Sequence, residues 1–197
     1  MSKTAQIILV AGGAALVVGF GLAFITSLTG ETLYGQSVGA GFFAGLAAAF
    51  IFANLSGNRR IASASQADKD AALAATPPEG KALVYIYRDA YVGKLVGMNI
   101  AVDGRPVAQI KSPRFTKVAV TAGRHVLSAG FGGFAGAQVR QEDDPIDFAP
   151  GTTVVFKVAN RVGLVQGGLK FVMQPDLAAA KQRLSRMPMT PADVPEI

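Results

Sequence analysis

The chain contains few residues that could carry out chemistry. His125 is the only histidine and there is no cysteine, so thiol nucleophiles, disulfides and thiolate metal sites are excluded. A single histidine beside a predicted turn is typical of a structural role, because a catalytic triad or a zinc site needs further partners. We therefore predict a protein that is not an enzyme, with no catalytic residue, no metal and no cofactor.

A glycine-rich segment, residues 130–136, is superficially similar to a dinucleotide-binding loop. Such a loop works only where a helix N-terminus follows it, and here no helical run precedes the polar residues from 141 onwards. We therefore predict a flexible or ligand-contacting loop of another kind, called the Gly-Phe loop. Its Phe131 and Phe134 either plug one end of the domain or, if exposed, insert into lipid or a partner's groove.

Two other segments are candidates for ligand sites. Glu142, Asp143, Asp144 and Asp147 could recruit calcium, but they lack the alternating ligand positions of a calcium loop. A solvated acidic turn is the simpler reading of this cluster. Residues 163–168 contain no Gly-Lys-Ser/Thr, so the sequence predicts no phosphate-binding P-loop there.

Basic residues give the strongest functional signal. The formal net charge is +6, and residues 81–174 supply all of it, since they hold twelve Lys or Arg and six Asp or Glu. Anionic lipid or an acidic protein surface would complement this charge, although ordinary surface charge is the alternative. Few aromatic residues accompany it, so nucleic acid is an unlikely partner. The candidate binding residues are Arg105, Lys111, Arg114, Lys117 and Arg124, together with Phe131 and Phe134.

Two uncharged apolar runs, residues 5–28 and 37–55, precede the basic segment and are candidates for its membrane anchor. Each is long enough to cross a hydrocarbon core of about 30 Å as a helix. The short connection between them, with Gly30, Tyr34 and Gly35, predicts an antiparallel transmembrane hairpin. A cleaved signal peptide is the alternative for the first run, which is long for that role and shows no clear cleavage site.

Small residues recur every fourth position in both runs. Such stripes let helix backbones approach closely in a membrane. The two stripes either face each other inside the hairpin or form an interface for a homo-oligomer. A second row of small residues at Ala40, Ala44 and Ala48 is compatible with that interface. Neither helix contains an ionisable residue of the kind that marks an ion pathway. The predicted helix-packing residues are Ala11, Ala15, Gly19, Ala23, Gly41, Gly45 and Ala49.

Flanking charge predicts the orientation of the hairpin. Lys3 precedes the first run, Arg59 and Arg60 follow the second, and the connection has no basic residue. Positive residues flank the cytoplasmic ends of transmembrane helices. We therefore expect a multi-pass membrane protein with both termini in the cytoplasm.

The rest of the chain predicts a membrane-anchored α+β protein. After the hairpin unit (residues 1–58) comes a linker (59–80), closed by two prolines and a glycine. Short apolar segments separated by turns then predict an all-β sandwich over 81–174. Asp103-Gly104 marks a hairpin turn, and Pro106 places that hairpin at a sheet edge. Residues 175–197 predict a short amphipathic helix capped by Asp176, which packs on the sandwich or lies on the membrane, and an extended tail.

Several β segments together resemble a known family. They are Ala-Leu-Val-Tyr-Ile-Tyr-Arg (82–88), Ile-Ala-Val-Asp-Gly (100–104), Ala-Gly-Arg-His (122–125) and the Pro-Gly-led strand at 150–158. Residues 81–186 thus resemble a bacterial family of unknown function, small PEGA-like β-sandwiches carried by envelope lipoproteins and membrane proteins. The resemblance implies a fold and an envelope location but no catalytic residue. This chain lacks the lipobox cysteine of many members, and the family lies mostly outside the cytoplasm, against the charge argument.

Together with the resemblance, these observations favour a non-enzymatic assembly or accessory subunit, anchored in a bacterial inner membrane, whose sandwich binds a protein partner or an anionic membrane surface. The alternative is a periplasm-facing module that binds cell-wall or lipid headgroup material.

Overall fold

A computed structural model describes residues 2–30, 34–60, 62–91, 93–140, 142–161 and 167–197. The chain divides into two units, Met1–Ser56 and Gly57–Ile197, called here the helix pair and the β-domain. Residues 31–33 of the predicted interhelical turn and residues 163–166 lie outside the described residues. The β-domain begins far earlier than the predicted boundary at residue 81, for reasons given below.

The helix pair consists of α1 (Lys3–Thr29) and α2 (Tyr34–Leu55). The Ser2 hydroxyl caps the first helix by accepting a hydrogen bond from the Ala5 amide at 3.2 Å. Gly30 ends that helix with a left-handed φ of 75°, a conformation that glycine adopts without steric cost. Both helices therefore begin and end near the limits of the two apolar runs in the sequence.

Apolar surface covers the outside of the helix pair. Both helices are long and apolar enough to cross a membrane. Val17, Phe20 and Phe43 are each at least 70% exposed, and no residue of α1 is buried. Contiguous exposed apolar surface of this kind is typical of a membrane or interaction surface.

The β-domain contains nine strands and three helices among its described residues. The strands are β1 (Lys81–Arg88), β2 (Met98–Val102), β3 (Arg105–Ile110), β4 (Arg114–Thr121), β5 (Gly123–Phe131), β6 (Val139–Arg140), β7 (Glu142–Phe148), β8 (Thr153–Arg161) and β9 (Gly167–Met173). The helices are α3 (Gln66–Ala74), α4 (Gly133–Gln138) and α5 (Leu177–Ser185).

Two sheets pack on one another around a shared apolar core. Their strand orders are β4-β1-β8-β9-β6 and β3-β2-β5-β7. Side chains from both sheets, among them Val84, Ile100 and Phe156, are buried in this core. β1 is central, antiparallel to β4 and parallel to β8, and it is buried on both faces as its apolar sequence predicts.

The Asp103-Gly104 hairpin is confirmed. β2 and β3 pair antiparallel around the turn, both turn residues have positive φ, and β3 with Pro106 lies at the sheet edge. The short turn at Ala122 carries the chain from β4 in one sheet to β5 in the other. It is therefore a crossover between the two layers.

The predicted linker is instead part of the β-domain. α3 packs with α5 on the outer face of the five-stranded sheet, where Ala72, Tyr85 and Leu184 are buried in a second core. The Tyr85 hydroxyl donates to the Ala72 carbonyl, and burial raises the pKa of Tyr85 to about 12. α5 begins where predicted, with the Asp176 carboxylate accepting from the Ala179 amide at 3.0 Å. Its burial supports the reading of this helix as a cap on the domain.

The C-terminal tail adds to the sheet. Residues 187–197 run beside the edge strand β4, with parallel bridges between Phe115 and Met189 and between Ala119 and Glu196. Met189 is buried in the second core. The tail thus covers an edge that would otherwise present unpaired backbone groups.

A candidate site at the Arg88 end of the β-domain

The helix-packing residues bring backbones into contact. A Cβ atom added at Gly41 would lie 2.7 Å from the Ala15 carbonyl oxygen and 3.0 Å from the Gly19 Cα atom. One added at Gly45 would lie 2.9 Å from the Ala11 carbonyl oxygen. Only glycine fits at these two positions. The remaining predicted residues are Ala23, which lines an apolar groove between the helices, and Ala49, which is half-buried.

The candidate basic residues do not form one surface. Strand register gives the β-domain two ends: the Arg88 end, with Arg88, Met98, Ile110 and Phe131, and the turn end, with Lys81, Val102 and Gly123. Arg105 and Arg124 lie at the turn end. Lys111 and Arg114 lie at the Arg88 end, and Lys117 lies on the outer face of the five-stranded sheet between Phe115 and Ala119. On β1 the two ends are seven residues apart, roughly 23 Å of extended strand, so the predicted basic binding residues occupy three separate places.

Arg88, which the sequence suggested only as one surface charge among many, is fully buried. Its guanidinium donates to the carbonyls of Val96 at 2.9 Å and Gly93 at 3.0 Å, and it stacks 4.9 Å from the centre of the Phe131 ring. Burial lowers the pKa of Arg88 to about 10, which leaves it charged at neutral pH. A buried cation therefore organises this end of the domain.

The segment that Arg88 holds is the Arg88 loop, residues 89–91 and 93–97. Besides the two hydrogen bonds from Arg88, the loop contains backbone hydrogen bonds, including one from the Val96 amide to the Gly93 carbonyl at 3.0 Å. Its outward side chains are unusual, because Tyr91 is 93% exposed and Leu95 is 67% exposed. They are the two most exposed large apolar side chains among the described residues of the β-domain.

Residues 57–60, called the strap, bind beside this loop. The Asn58 amide donates to the Leu95 carbonyl at 2.8 Å, and its oxygen accepts from the Gly97 amide at 2.6 Å. The Gln109 side chain donates to the Gly57 carbonyl at 2.9 Å and accepts from the Arg59 amide at 2.7 Å. These bonds explain why the β-domain begins at Gly57 and why residues 59–60 are not a free linker.

The Gly-Phe loop also packs on the strap. A Cβ atom added at Gly57 would overlap the backbone of Gly132, so the two glycine backbones are in direct contact. Against expectation, the loop continues into the short helix α4. Phe131 is half-buried beneath Arg88, whereas Phe134 is 50% exposed, so the two phenylalanines differ in burial.

The strap and Lys111 line an open depression of about 580 Å³. Arg59 forms an ion pair with Asp193 at 2.7 Å. Within the part of the chain that the structure describes, no ion pair involves Arg60, Lys94 or Lys111. Lys94 in the Arg88 loop, and Arg60 and Lys111 beside the depression, are therefore cations with no ion-pair partner among the described residues.

His125 lies at the opposite end, where the structure gives it partners. Its Nδ1 atom is 2.6 Å from Asp103 Oδ2, and its Nε2 atom is 3.2 Å from Thr121 Oγ1. This order of groups matches a hydroxyl, base and carboxylate relay, but here it joins the β2–β3 turn to the neighbouring ends of β4 and β5. Asp103 also accepts from the Val126 amide at 2.8 Å. That bond first, and the His125 bond second, lower the pKa of Asp103 below its usual value.

The acidic cluster is not a loop. Asp143, Asp144 and Asp147 lie on the edge strand β7. Asp143 accepts from the Ser128 hydroxyl at 2.7 Å and Asp144 from the Phe171 amide at 3.0 Å, while the Glu142 side chain lies outside the described residues. Across the described residues, no group of three His, Cys, Asp or Glu could hold a metal ion.

No family model and no curated protein matches this sequence. The resemblance of residues 81–186 to PEGA-like sandwiches therefore stays a prediction that rests on the quoted turn motifs.

The sequence missed two residues that build the Arg88 end. Arg88 ends a strand whose other residues are almost all apolar, and Gln109 lies among apolar residues of β3. A polar residue within a buried apolar segment needs hydrogen-bond partners. That requirement is a usable sequence signal, although it does not reveal which distant backbone groups meet it.

Proposed function

We propose that this protein is a membrane-anchored, non-enzymatic assembly or accessory subunit. In this proposal α1 and α2 cross a bacterial inner membrane, and the β-domain in the cytoplasm binds a protein partner or an anionic membrane surface. The observation that carries the proposal is the apolar exterior of the helix pair, in which Val17 and Phe20 are more than 70% exposed. Lipid would cover this surface at little cost.

Two features of the β-domain support a binding role over a catalytic one. The only histidine is engaged by Asp103 and Thr121 in holding turns together. The exposed Arg88 loop beside free cations is instead a surface suited to binding.

Topology is the first test of this proposal. Because the chain has no native cysteine, Ala122→Cys at the exposed turn end and Thr29→Cys at the exposed end of α1 give two unique probes. With both termini cytoplasmic, a membrane-impermeant maleimide labels residue 29 in intact spheroplasts and residue 122 only after lysis. Labelling of residue 122 before lysis would instead favour the periplasm-facing envelope module.

The subunit role is tested separately. The full chain, tagged and extracted in a mild detergent, is expected to elute as a stoichiometric complex that survives a second purification. Elution of the chain alone, at the mass of one copy plus detergent, would contradict a role in assembly.

A further inference from the structure

The Arg88 end exposes apolar side chains on a loop that is firmly held. Arg88 and Asn58 together bind the carbonyls of Gly93, Leu95 and Val96. The loop backbone at Gly93, Leu95 and Val96 is therefore held before binding, which lowers the entropic cost of ordering it. Tyrosine favours the interface between lipid and water, where its ring is apolar and its hydroxyl stays hydrated.

Cations surround these apolar side chains. Lys94 lies within the Arg88 loop, and Arg60 and Lys111 line the neighbouring depression. The acidic residues Asp89 and Asp193 each pair with an arginine, Arg183 or Arg59. Positive charge next to exposed apolar residues complements an anionic bilayer surface, to which each nearby Lys or Arg contributes about 1 kcal/mol.

Chain continuity favours a bilayer as the occupant. Leu55 is the last residue of α2, and Gly57 is already bound to Gln109 in the β-domain. Two peptide units span less than about 8 Å. If α2 crosses a membrane, the strap must begin at the membrane surface, whatever the angle between the two units.

We propose that the Arg88 end is a docking site for anionic phospholipid. Tyr91 and Leu95 enter the headgroup region of the bilayer, and Lys94, Arg60 and Lys111 bind the phosphates of phospholipid headgroups. This inference rests on the proposed function, because it requires the membrane anchor, and it assigns the partner that this end of the β-domain takes.

A tryptophan probe tests the site, since the chain has no native tryptophan. The full chain carrying Tyr91→Trp is reconstituted in vesicles of phosphatidylcholine, with and without phosphatidylglycerol. Lipids brominated near the headgroup end of the acyl chain quench a tryptophan that enters the interface. We expect blue-shifted, quenched emission from Trp at position 91, strongest with phosphatidylglycerol and weakened by salt. The matched control is Ala122→Trp at the turn end, which stays unquenched.

Substitutions of single basic residues measure how much each one contributes to docking. In the Tyr91→Trp chain, Arg60→Gln or Lys94→Gln is expected to lower the equilibrium constant for docking on the anionic surface about fivefold each. The control Lys117→Gln, on another face of the domain, leaves it unchanged.

Each failure has its own signature. Protein that floats with the vesicles but shows unquenched, water-like emission overturns the docking site and leaves the membrane anchor intact. Quenching that is equal in both lipids and insensitive to salt overturns the anionic headgroup as ligand. Quenching that appears only when a protein partner is added assigns the loop to that partner. Protein that does not float overturns the proposed function and this inference together.

Discussion

The helix pair and the β-domain bury opposite kinds of group. In the helix pair, backbone meets backbone at Gly41 and Gly45, while the large apolar side chains face outwards. In the β-domain, apolar side chains such as Val84 and Phe156 fill the interior, and most charged side chains lie outside. Large apolar side chains therefore lie outside in one unit and inside in the other.

The Arg88 end differs from the rest of the β-domain in which groups are buried and which are exposed. There the cation of Arg88 is inside, the aromatic ring of Tyr91 is outside, and two glycine backbones touch at Gly57 and Gly132. This end thus shares an exposed apolar side chain and a close contact between backbones with the helix pair. Both features therefore occur here on a loop as well as on helices, so they do not depend on the type of secondary structure.

The largest effect is expected from Arg88→Met. Methionine fills the volume but removes the two hydrogen bonds from the guanidinium to the carbonyls of Gly93 and Val96, each worth about 1.5–3 kcal/mol because the donor is charged. We expect the free energy of unfolding of the β-domain to fall by about 3 kcal/mol in urea titrations of the full chain in micelles, followed by tyrosine fluorescence. Arg114→Met, on the neighbouring strand, serves as the control with less than about 1 kcal/mol. Equal losses for the two variants would show that Arg88 does not organise this end.

Gly41→Leu is expected to separate the helix pair. Its side chain would overlap the Ala15 carbonyl, and such overpacking costs about 1–3 kcal/mol. Dyes on Ser2→Cys and Ser56→Cys, at the two ends that an antiparallel pair brings together, report the loss as lower energy transfer in micelles. Gly39→Leu is the control, because nothing lies within 4 Å of a Cβ atom there. Unchanged transfer in the Gly41 variant would refute backbone contact as the basis of pairing.

Gly57→Ala probes whether the strap is bound or free. The added methyl group collides with Gly132, so the strap must leave its site at a cost of about 1–2 kcal/mol. Trypsin is then expected to cleave after Arg59 or Arg60 several-fold faster, while the core of the domain stays folded. Gly12→Ala, in open space on α1, should leave the cleavage rate unchanged. An identical rate in both variants would mean that the strap is already a free linker.

The smallest effect is expected at the turn end. Asp103 has a lowered pKa in the folded state, so its charged form stabilises the fold above the unfolded pKa of about 3.9. That contribution is lost as pH falls through the lowered folded pKa. Because the side chain is partly exposed, Asp103→Asn should cost no more than about 1 kcal/mol at neutral pH. In urea titrations, the difference between wild type and variant should shrink in acid; a difference independent of pH would contradict this assignment.

Local signals predicted much of the fold. The apolar runs give α1 and α2, alternation and turn residues give most strands, and Asp103-Gly104 gives its hairpin. Asp176 caps α5 as expected. These features depend on neighbours within a few residues, so they can be recognised without knowledge of the tertiary structure.

The predictions that failed concern partners that are distant in sequence. Nothing near residue 57 indicates that Gln109 and Gly132 hold it, so residues 59–80 resemble a linker. The basic residues are close in sequence but separate in space, because β3 and β4 carry them to different ends and faces.

By itself, then, the sequence determined which segments are helices and strands, where the chain is apolar enough for a membrane, and how its charge is distributed. Periodicity and turn chemistry act over a few residues and are written directly in the chain. Only the tertiary structure decided that Arg88 lies inside, that Tyr91 lies outside, and that the strap belongs to the β-domain. Those outcomes depend on hydrogen bonds between groups up to about fifty residues apart, whose pairing is set by the packing of the two sheets.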